Sequence, residues 1–208
     1  MASAPGLSDN ARKHTSTNPL QRLLIDRFYA TLIGLLRELE FETLLDAGSG
    51  EGFTLARLAP HVGAARLIAT DRELSALLFA GVFPAGVPRV CADVTRLPYA
   101  DAAFDVVLTT EVLEHLPQPA DGLRELGRVA RRYVVCTVPH EPYFRLANVL
   151  RGKNVAAFGN DPGHVQHWSR RQFATFVGAE LRVHRCVTSF PWTLVVAEPR
   201  LRGPRLPT

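Results

Sequence analysis

Residues 44–52 read Leu-Leu-Asp-Ala-Gly-Ser-Gly-Glu-Gly, an apolar run that ends in Asp46 and passes into a turn with glycine at Gly48, Gly50 and Gly52. Glycines at alternate positions let the chain reverse sharply and bring backbone amides close to a ligand. A helix entered directly afterwards aims its amide dipoles at the same point. This stretch constrains the fold more than any other, because it is the start of an open α/β unit with a small anionic or carboxylate-bearing guest at its edge. The G-x-G-x-G spacing departs from the G-x-G-x-x-G of dinucleotide-binding folds, and glycine turns also serve as plain connections, so the neighbouring segments have to decide.

Those segments repeat one pattern. The run at 66–70 ends in Asp71 and the run at 88–92 ends in Asp93, so three successive strand-like segments each finish in an aspartate. An acid at the tip of the second strand of an open α/β unit accepts hydrogen bonds from a nucleotide ribose. Any one such aspartate reads equally well as a loop cap, whereas three on one sheet edge outline a pocket.

Periodicity supplies the rest of the architecture. Residues 1–17 are polar without an apolar period and are expected to be a mobile N-terminal segment. Leu20, Leu24, Phe28, Leu32, Leu35 and Leu39 recur at three- and four-residue steps, which predicts an amphipathic helix packed on the sheet. Helices are expected near 52–60, 72–80 and 119–130 and from Ser169 onward, with strands at Phe104–Thr110 and Arg132–Val138. Strands alternating with helices make a parallel sheet. Leu181–Val187 and Trp192–Ala197 are separated only by Thr188–Pro191, too few residues for a crossover helix, and so pair as an antiparallel hairpin.

Composition narrows little beyond this. A chain of 208 residues with 47% hydrophobic content buries one sizeable core. The absence of an apolar stretch of about 20 residues and of a signal-peptide start predicts a soluble, cytoplasmic protein without a membrane span. Cys91, Cys136 and Cys186 are odd in number, lack CxxC spacing and sit in apolar runs, so they are expected to be small core residues in a reducing compartment. The net charge of +4 includes Arg200, Arg202 and Arg205 in a basic tail over 199–208, read as a solvated end.

Taken with its neighbours, the glycine segment resembles the class I S-adenosylmethionine (SAM) dependent methyltransferases, within them the methyltransferase type 11 branch. The residues that carry the resemblance are Leu44–Gly52, Asp71, Ala92-Asp93, Leu97-Pro98-Tyr99, Phe104-Asp105-Val106-Val107 and Glu111-Val112-Leu113-Glu114-His115-Leu116. The resemblance covers residues 18–198 as one domain. It implies an α/β fold with a Rossmann-like seven-stranded sheet, mostly parallel with a reversed last strand in a C-terminal hairpin, and helices on both faces. It also implies SAM as cosubstrate, with Gly48 and Gly50 against its methionine part, Asp71 on the ribose, and Asp93 with Val94 at the adenine. Around these, Asp46, Ser49, Gly52, Arg72, Thr110 and Glu111 complete the implied cofactor set. Related enzymes close the site with an N-terminal helix, which makes Lys13–Arg22, and Arg22 in particular, the segment expected to meet the cofactor carboxylate.

A sulfonium already activates its methyl group, so transfer by in-line displacement needs mainly a nucleophile held close and aligned, with a base where the acceptor must lose a proton. Residues 139–168 are far longer than a connection requires and are expected to form the lid and acceptor pocket. His140, immediately past the fifth strand, is the first choice as proton acceptor, with Tyr143 and His167 behind it and Glu111 orienting charge near the sulfonium. His115 is expected to order its loop. His164 and His167 with His140 offer a possible metal set, but without carboxylate or thiolate spacing no metal is expected. Arg145, Arg151 and Lys153 make the lid cationic. The expected function is methyl transfer to oxygen, nitrogen or carbon of a small-molecule acceptor, with no nucleic-acid partner. The alternatives are an RNA or protein methyltransferase, or a non-catalytic SAM-binding regulatory protein. The acceptor and the oligomeric state stay open.

Overall fold

Leu44 and Leu45, Val106 and Val107, and Val134 and Val135 are three pairs of sequence neighbours, each residue fully inaccessible except as part of the interior. Successive strand residues face opposite sides of a sheet, so runs buried at every position require cover on both faces. The computed structural model, which describes residues 8–79, 81–141, 143, 163 and 165–200, has that arrangement. Leu45, Val107 and Val134 belong to one apolar cluster and Leu44, Val106 and Val135 to the other.

In chain order the elements are α1 (Asp9–His14), α2 (Pro19–Arg37), β1 (Thr43–Ala47), α3 (Phe53–Leu58), β2 (Arg66–Asp71), α4 (Leu74–Leu77), β3 (Arg89–Cys91), β4 (Phe104–Thr110), α5 (Pro119–Val129), β5 (Ala130–Pro139), α6 (Arg170–Glu180), β6 (Leu181–Ser189) and β7 (Trp192–Pro199). The sheet has seven strands in the order β3-β2-β1-β4-β5-β7-β6. β1 to β5 pair in parallel, and β7 is inserted antiparallel to both β5 and β6. The reversed last strand and C-terminal hairpin therefore stand as the sequence implies.

α2 and α3 cover one face with Phe28, Leu32, Leu36, Leu55 and Leu58, while α5 and α6 cover the other with Leu123, Leu126, Phe173 and Val177. Each fully buried Leu or Phe contributes roughly 1.5–3 kcal/mol of transfer free energy. The helix starts are chemically marked. Asn18 caps α2, accepting from the amides of Leu20 and Gln21 at 3.0 and 3.2 Å, with Pro19 in the first turn. Ser169 and Gln172 form a capping box that opens α6.

Several expectations are corrected. The segment through residue 17 contains α1, whose apolar anchor is the fully buried Ala11, too little for a visible period. Leu20, expected on the buried stripe of α2, is 56% exposed, and burial begins at Ile25. The helix expected over 72–80 has only four residues. Cys91 is exposed, because β3 is an edge strand with only one neighbour, whereas Cys136 is buried in the central strand β5. Arg145, Arg151, Lys153, His164, Arg202 and Arg205, with most of the proposed lid, lie outside the described residues. Among the described residues no helix is long and apolar enough to cross a membrane.

Candidate active site

The loop after β1 is built on its neighbour. The amides of Gly48 and Ser49 donate to the carbonyl of Thr70 in β2 at 2.7 and 3.0 Å, and the amide of Gly50 donates to Oδ2 of Asp71 at 2.8 Å. Gly48, Gly50 and Gly52 have φ of 84°, 53° and 87°, the left-handed region that glycine enters without cost. At Gly48 a Cβ would stand 2.3 Å from Val112 Cγ2, and at Gly52 2.4 Å from the Phe83 ring, so both glycines are needed for packing as well as for the turn.

Asp46 lies directly before this loop with no accessible surface. Neither of its carboxyl oxygens has a hydrogen-bond partner among the described residues, and the buried Ser49 hydroxyl is likewise unpartnered. Burial, and after it the neighbouring charge of Asp71, pushes the Asp46 carboxyl up to about 8. Asp71 is engaged on both oxygens, since Oδ1 also accepts from the Glu73 amide at 2.9 Å. Asp93 accepts from the hydroxyl and the amide of Thr95, both at 2.7 Å, which hold its carboxyl below the usual range. Asp46 and Asp71 lie in the C-terminal ends of β1 and β2 and Asp93 two residues past β3, all at one sheet edge, and Val94 is buried in the core next to Asp93. Arg72 is exposed and 3.4 Å from Glu73. The Thr110 hydroxyl lies 3.4 Å from that of Thr54. An open polar cavity of about 560 Å³ lies between Asp93, Thr95 and Arg96 and α5 residues Asp121, Arg124 and Glu125. The glycine loop does not line it.

Glu51, which sequence reading passed over, and Lys13, the first residue of the segment expected to reach the cofactor, tie α1 across this edge. Glu51, buried within the glycine loop, accepts from the Ser8 hydroxyl and, at 2.5 Å, from Asn10 Nδ2. Lys13 pairs with Glu111 at the end of β4, and Trp192 Nε1 donates to the same carboxylate. Burial works to raise the Glu111 carboxyl, but the Lys13 charge and the hydrogen bonds from Lys13 and Trp192 outweigh it and hold the group ionised below its ordinary range. His14 stacks on Phe53 with ring centroids 4.7 Å apart. Burial, and after it the Lys13 charge, lowers its imidazole to about 4. Arg22 is exposed, so Lys13 is the N-terminal cation that reaches the site. The available signal for Glu51 was a glutamate inside the glycine loop.

His140 follows β5. Its amide donates to the Pro191 carbonyl at 2.8 Å, its backbone bridges to Trp168, and the Glu141 amide donates to the Trp168 carbonyl at 3.0 Å. The imidazole meets Tyr143 edge-on at 5.2 Å, and Tyr143 in turn lies 6.0 Å from Phe190. His140 Nδ1 is buried without a hydrogen-bond partner among the described residues. Burial, and then the Arg170 charge, lowers its pKa. His167, one residue before Trp168, is exposed. His115 orders its loop: Nδ1 lies 2.7 Å from the Gly163 carbonyl, and the neighbouring Glu114 carbonyl accepts from the amides of Val165 and Gln166 at 2.9 and 3.0 Å. Among the described residues no group of three or more His, Cys, Asp or Glu is placed to hold a metal ion.

A family model described as a methyltransferase domain, that of the type 11 branch, matches residues 45–136, the span from β1 to the middle of β5. Over that span the chain is similar to the methyltransferase domain of that branch. The demethylmenaquinone methyltransferase of Mycolicibacterium vanbaalenii is 35% identical over 130 residues, which cover 61% of this chain and 55% of the relative. The chain thus spans about half the length of the curated relatives it matches. Two solved methyltransferases share the fold. A SAM-dependent methyltransferase from Aquifex aeolicus superposes with a TM-score of 0.63 at 20% identity, covering 92% of this chain and 98% of that one. The magnesium protoporphyrin IX methyltransferase of Synechocystis, solved with bound SAH, gives 0.62 at 16% identity, covering 89% of each chain. The methyltransferase domain places Asp46 and the glycine loop within the matched segment, and leaves His140 and Trp192 beyond it.

Proposed function

We propose that the chain catalyses SAM-dependent methyl transfer to a small-molecule acceptor, with Asp46, the glycine loop, Asp71 and Asp93 holding the cofactor and His140 accepting a proton from the nucleophile. The observation that carries this reading is the state of Asp46: a carboxyl without accessible surface or hydrogen-bond partner among the described residues, directly before three left-handed glycines. Buried polar groups are almost always paired. The oxygens of Asp46 and the Ser49 hydroxyl fit the donors of an amino-acid end on the bound cofactor. Asp71 keeps lone pairs beyond the two amides it accepts, enough for ribose hydroxyls, and Asp93 beside apolar Val94 suits the polar edge and flat face of a base.

SAM when bound supplies a methyl group already activated on a sulfonium. The chain's own share is to align the nucleophile, worth about 7–11 kcal/mol in well-oriented reactions, and to take its proton. A lowered pKa keeps the His140 imidazole neutral at neutral pH, so Nδ1, without a partner among the described residues, can accept a hydrogen bond from an acceptor hydroxyl and then its proton. Tyr143 and Phe190, each 48% exposed, give that position an aromatic wall. The curated relatives are demethylmenaquinone methyltransferases by name, and an aromatic acceptor of that kind suits this wall.

The test is to incubate the chain with SAM and a panel of hydroxylated aromatic and aliphatic acceptors, following S-adenosylhomocysteine by mass spectrometry. Turnover confined to aromatic acceptors supports the reading. Tight SAM binding without turnover on any acceptor, including cell extract, would favour a non-catalytic role instead.

A further inference from the structure

α1 has six residues, too few to be stable as a free helix, and it is held by contacts at both ends. Its first turn is bound to Glu51 in the glycine loop through Ser8 and Asn10, and its last turn to Glu111 through Lys13. The Lys13 end is not an ordinary surface ion pair. The Lys13 ammonium also lies 5.0 Å from the centroid of the Trp192 indole, whose N–H donates to the same Glu111 carboxylate. Phe28 packs against that indole at 5.1 Å and fixes its plane. Glu111 reaches this position from a backbone with φ of 56°, a conformation uncommon for a residue with a Cβ, while its amide donates to the Thr137 carbonyl at 3.1 Å. A carboxylate and an aromatic face converging on one ammonium is the arrangement by which proteins recognise organic cations.

We propose that Glu111 and Trp192 form a cation-recognising subsite in which Lys13 is the resident, and that the cationic group of a bound ligand competes with Lys13 for it. The inference rests on the cofactor reading above, because Asn10, on the same helix as Lys13, stands 3.2 Å from the Cβ position of Gly50 in the cofactor loop. Lys13 therefore guards the site with a charge of the same sign as a sulfonium. A ligand bearing that charge gains Glu111 and Trp192 by displacing Lys13, and its neutral thioether product does not. Loss of the positive charge on methyl transfer returns Glu111 to Lys13 and weakens the hold on product.

Calorimetric titration of the full chain with SAM and with S-adenosylhomocysteine tests this through the ratio of the two affinities, without reference to turnover. Lys13→Met is expected to raise the preference for SAM by about two- to fivefold, the ordinary strength of one cation–aromatic contact, and Lys13→Arg to leave it near the wild-type value. Glu111→Gln is expected to lower the preference below wild type. Lys13 is half-buried on the last turn of α1, outside the sheet core, so Lys13→Met carries the test if Glu111→Gln fails to fold. An unchanged ratio in Lys13→Met, with both ligands still bound, overturns the subsite while leaving the cofactor reading intact. A wild-type chain that binds neither ligand overturns both.

Discussion

The amide of Gly50 donates to Oδ2 of Asp71 at 2.8 Å, so the acid at the tip of β2 shapes the loop that leaves β1. Asp71→Ala removes the acceptor from that amide and from Glu73. Its expected cost is about 1–3 kcal/mol of stability in urea unfolding, the usual penalty for hydrogen bonds to a charged group, and at least about a tenfold loss of SAM affinity by calorimetry. Wild-type affinity in that variant would remove Asp71 from the cofactor site.

Asp46 gives the chain a pH-dependent stability of definite sign. Its carboxyl ionises near 3.8 in a model peptide but is pushed up to about 8 in the fold. Between those values the folded chain binds the proton that the unfolded chain has released. Stability is therefore fully retained below about pH 4, falls as pH rises through the window, and levels once the folded carboxyl has ionised. Asp46→Asn carries no such proton. Urea unfolding of the cofactor-free chain at pH 5 and pH 8 should show wild type losing stability relative to Asp46→Asn as the pH rises, and a difference that does not vary with pH would contradict it.

Gly48 combines a left-handed backbone, φ 84°, with a Cβ position 2.3 Å from Val112 Cγ2. Gly48→Ala is expected to cost about 2–4 kcal/mol, the sum of the left-handed penalty and of overpacking. Val112→Ala in the same chain relieves only the packing part. Partial recovery in the double variant, measured by thermal unfolding, is the expected result, and simple additivity of the two losses is the result that excludes the contact.

How much of this was legible in the sequence follows from the range of each signal. The glycine loop, the acid-tipped strands and the C-terminal hairpin are local patterns, read within about ten residues, and the fold places them as read. The central strands announced themselves because burial on both faces leaves no polar alternation. α1 did not, since six residues anchored by Ala11 and by ion pairs leave no apolar period. The roles of Glu51 and Trp192 and the pairing of Lys13 with Glu111 were missed for a related reason: each depends on a partner across the sheet edge, and Lys13 and Glu111 are separated by 98 residues. Leu20 misled because it matches the spacing of α2 yet precedes the point where that helix reaches the sheet.

His140 provides the sharpest test of the chemistry. If its imidazole takes the acceptor's proton, His140→Ala lowers kcat by about 10²–10⁴-fold under saturating substrate, the range for a positioned general base. The wild-type rate should rise with pH to a plateau whose inflection lies below the ordinary histidine value of 6.5, because burial and then the Arg170 charge favour the neutral ring. Arg170→Met removes one of those causes without touching the ring. Its expected effect is to move the inflection toward higher pH with the plateau rate retained. Arg170 also donates to the Cys186 carbonyl at 2.7 Å, so a merely structural role would lower stability and leave the inflection where it was. A rate within a few-fold of wild type in His140→Ala, on an acceptor that must lose a proton, assigns the base elsewhere.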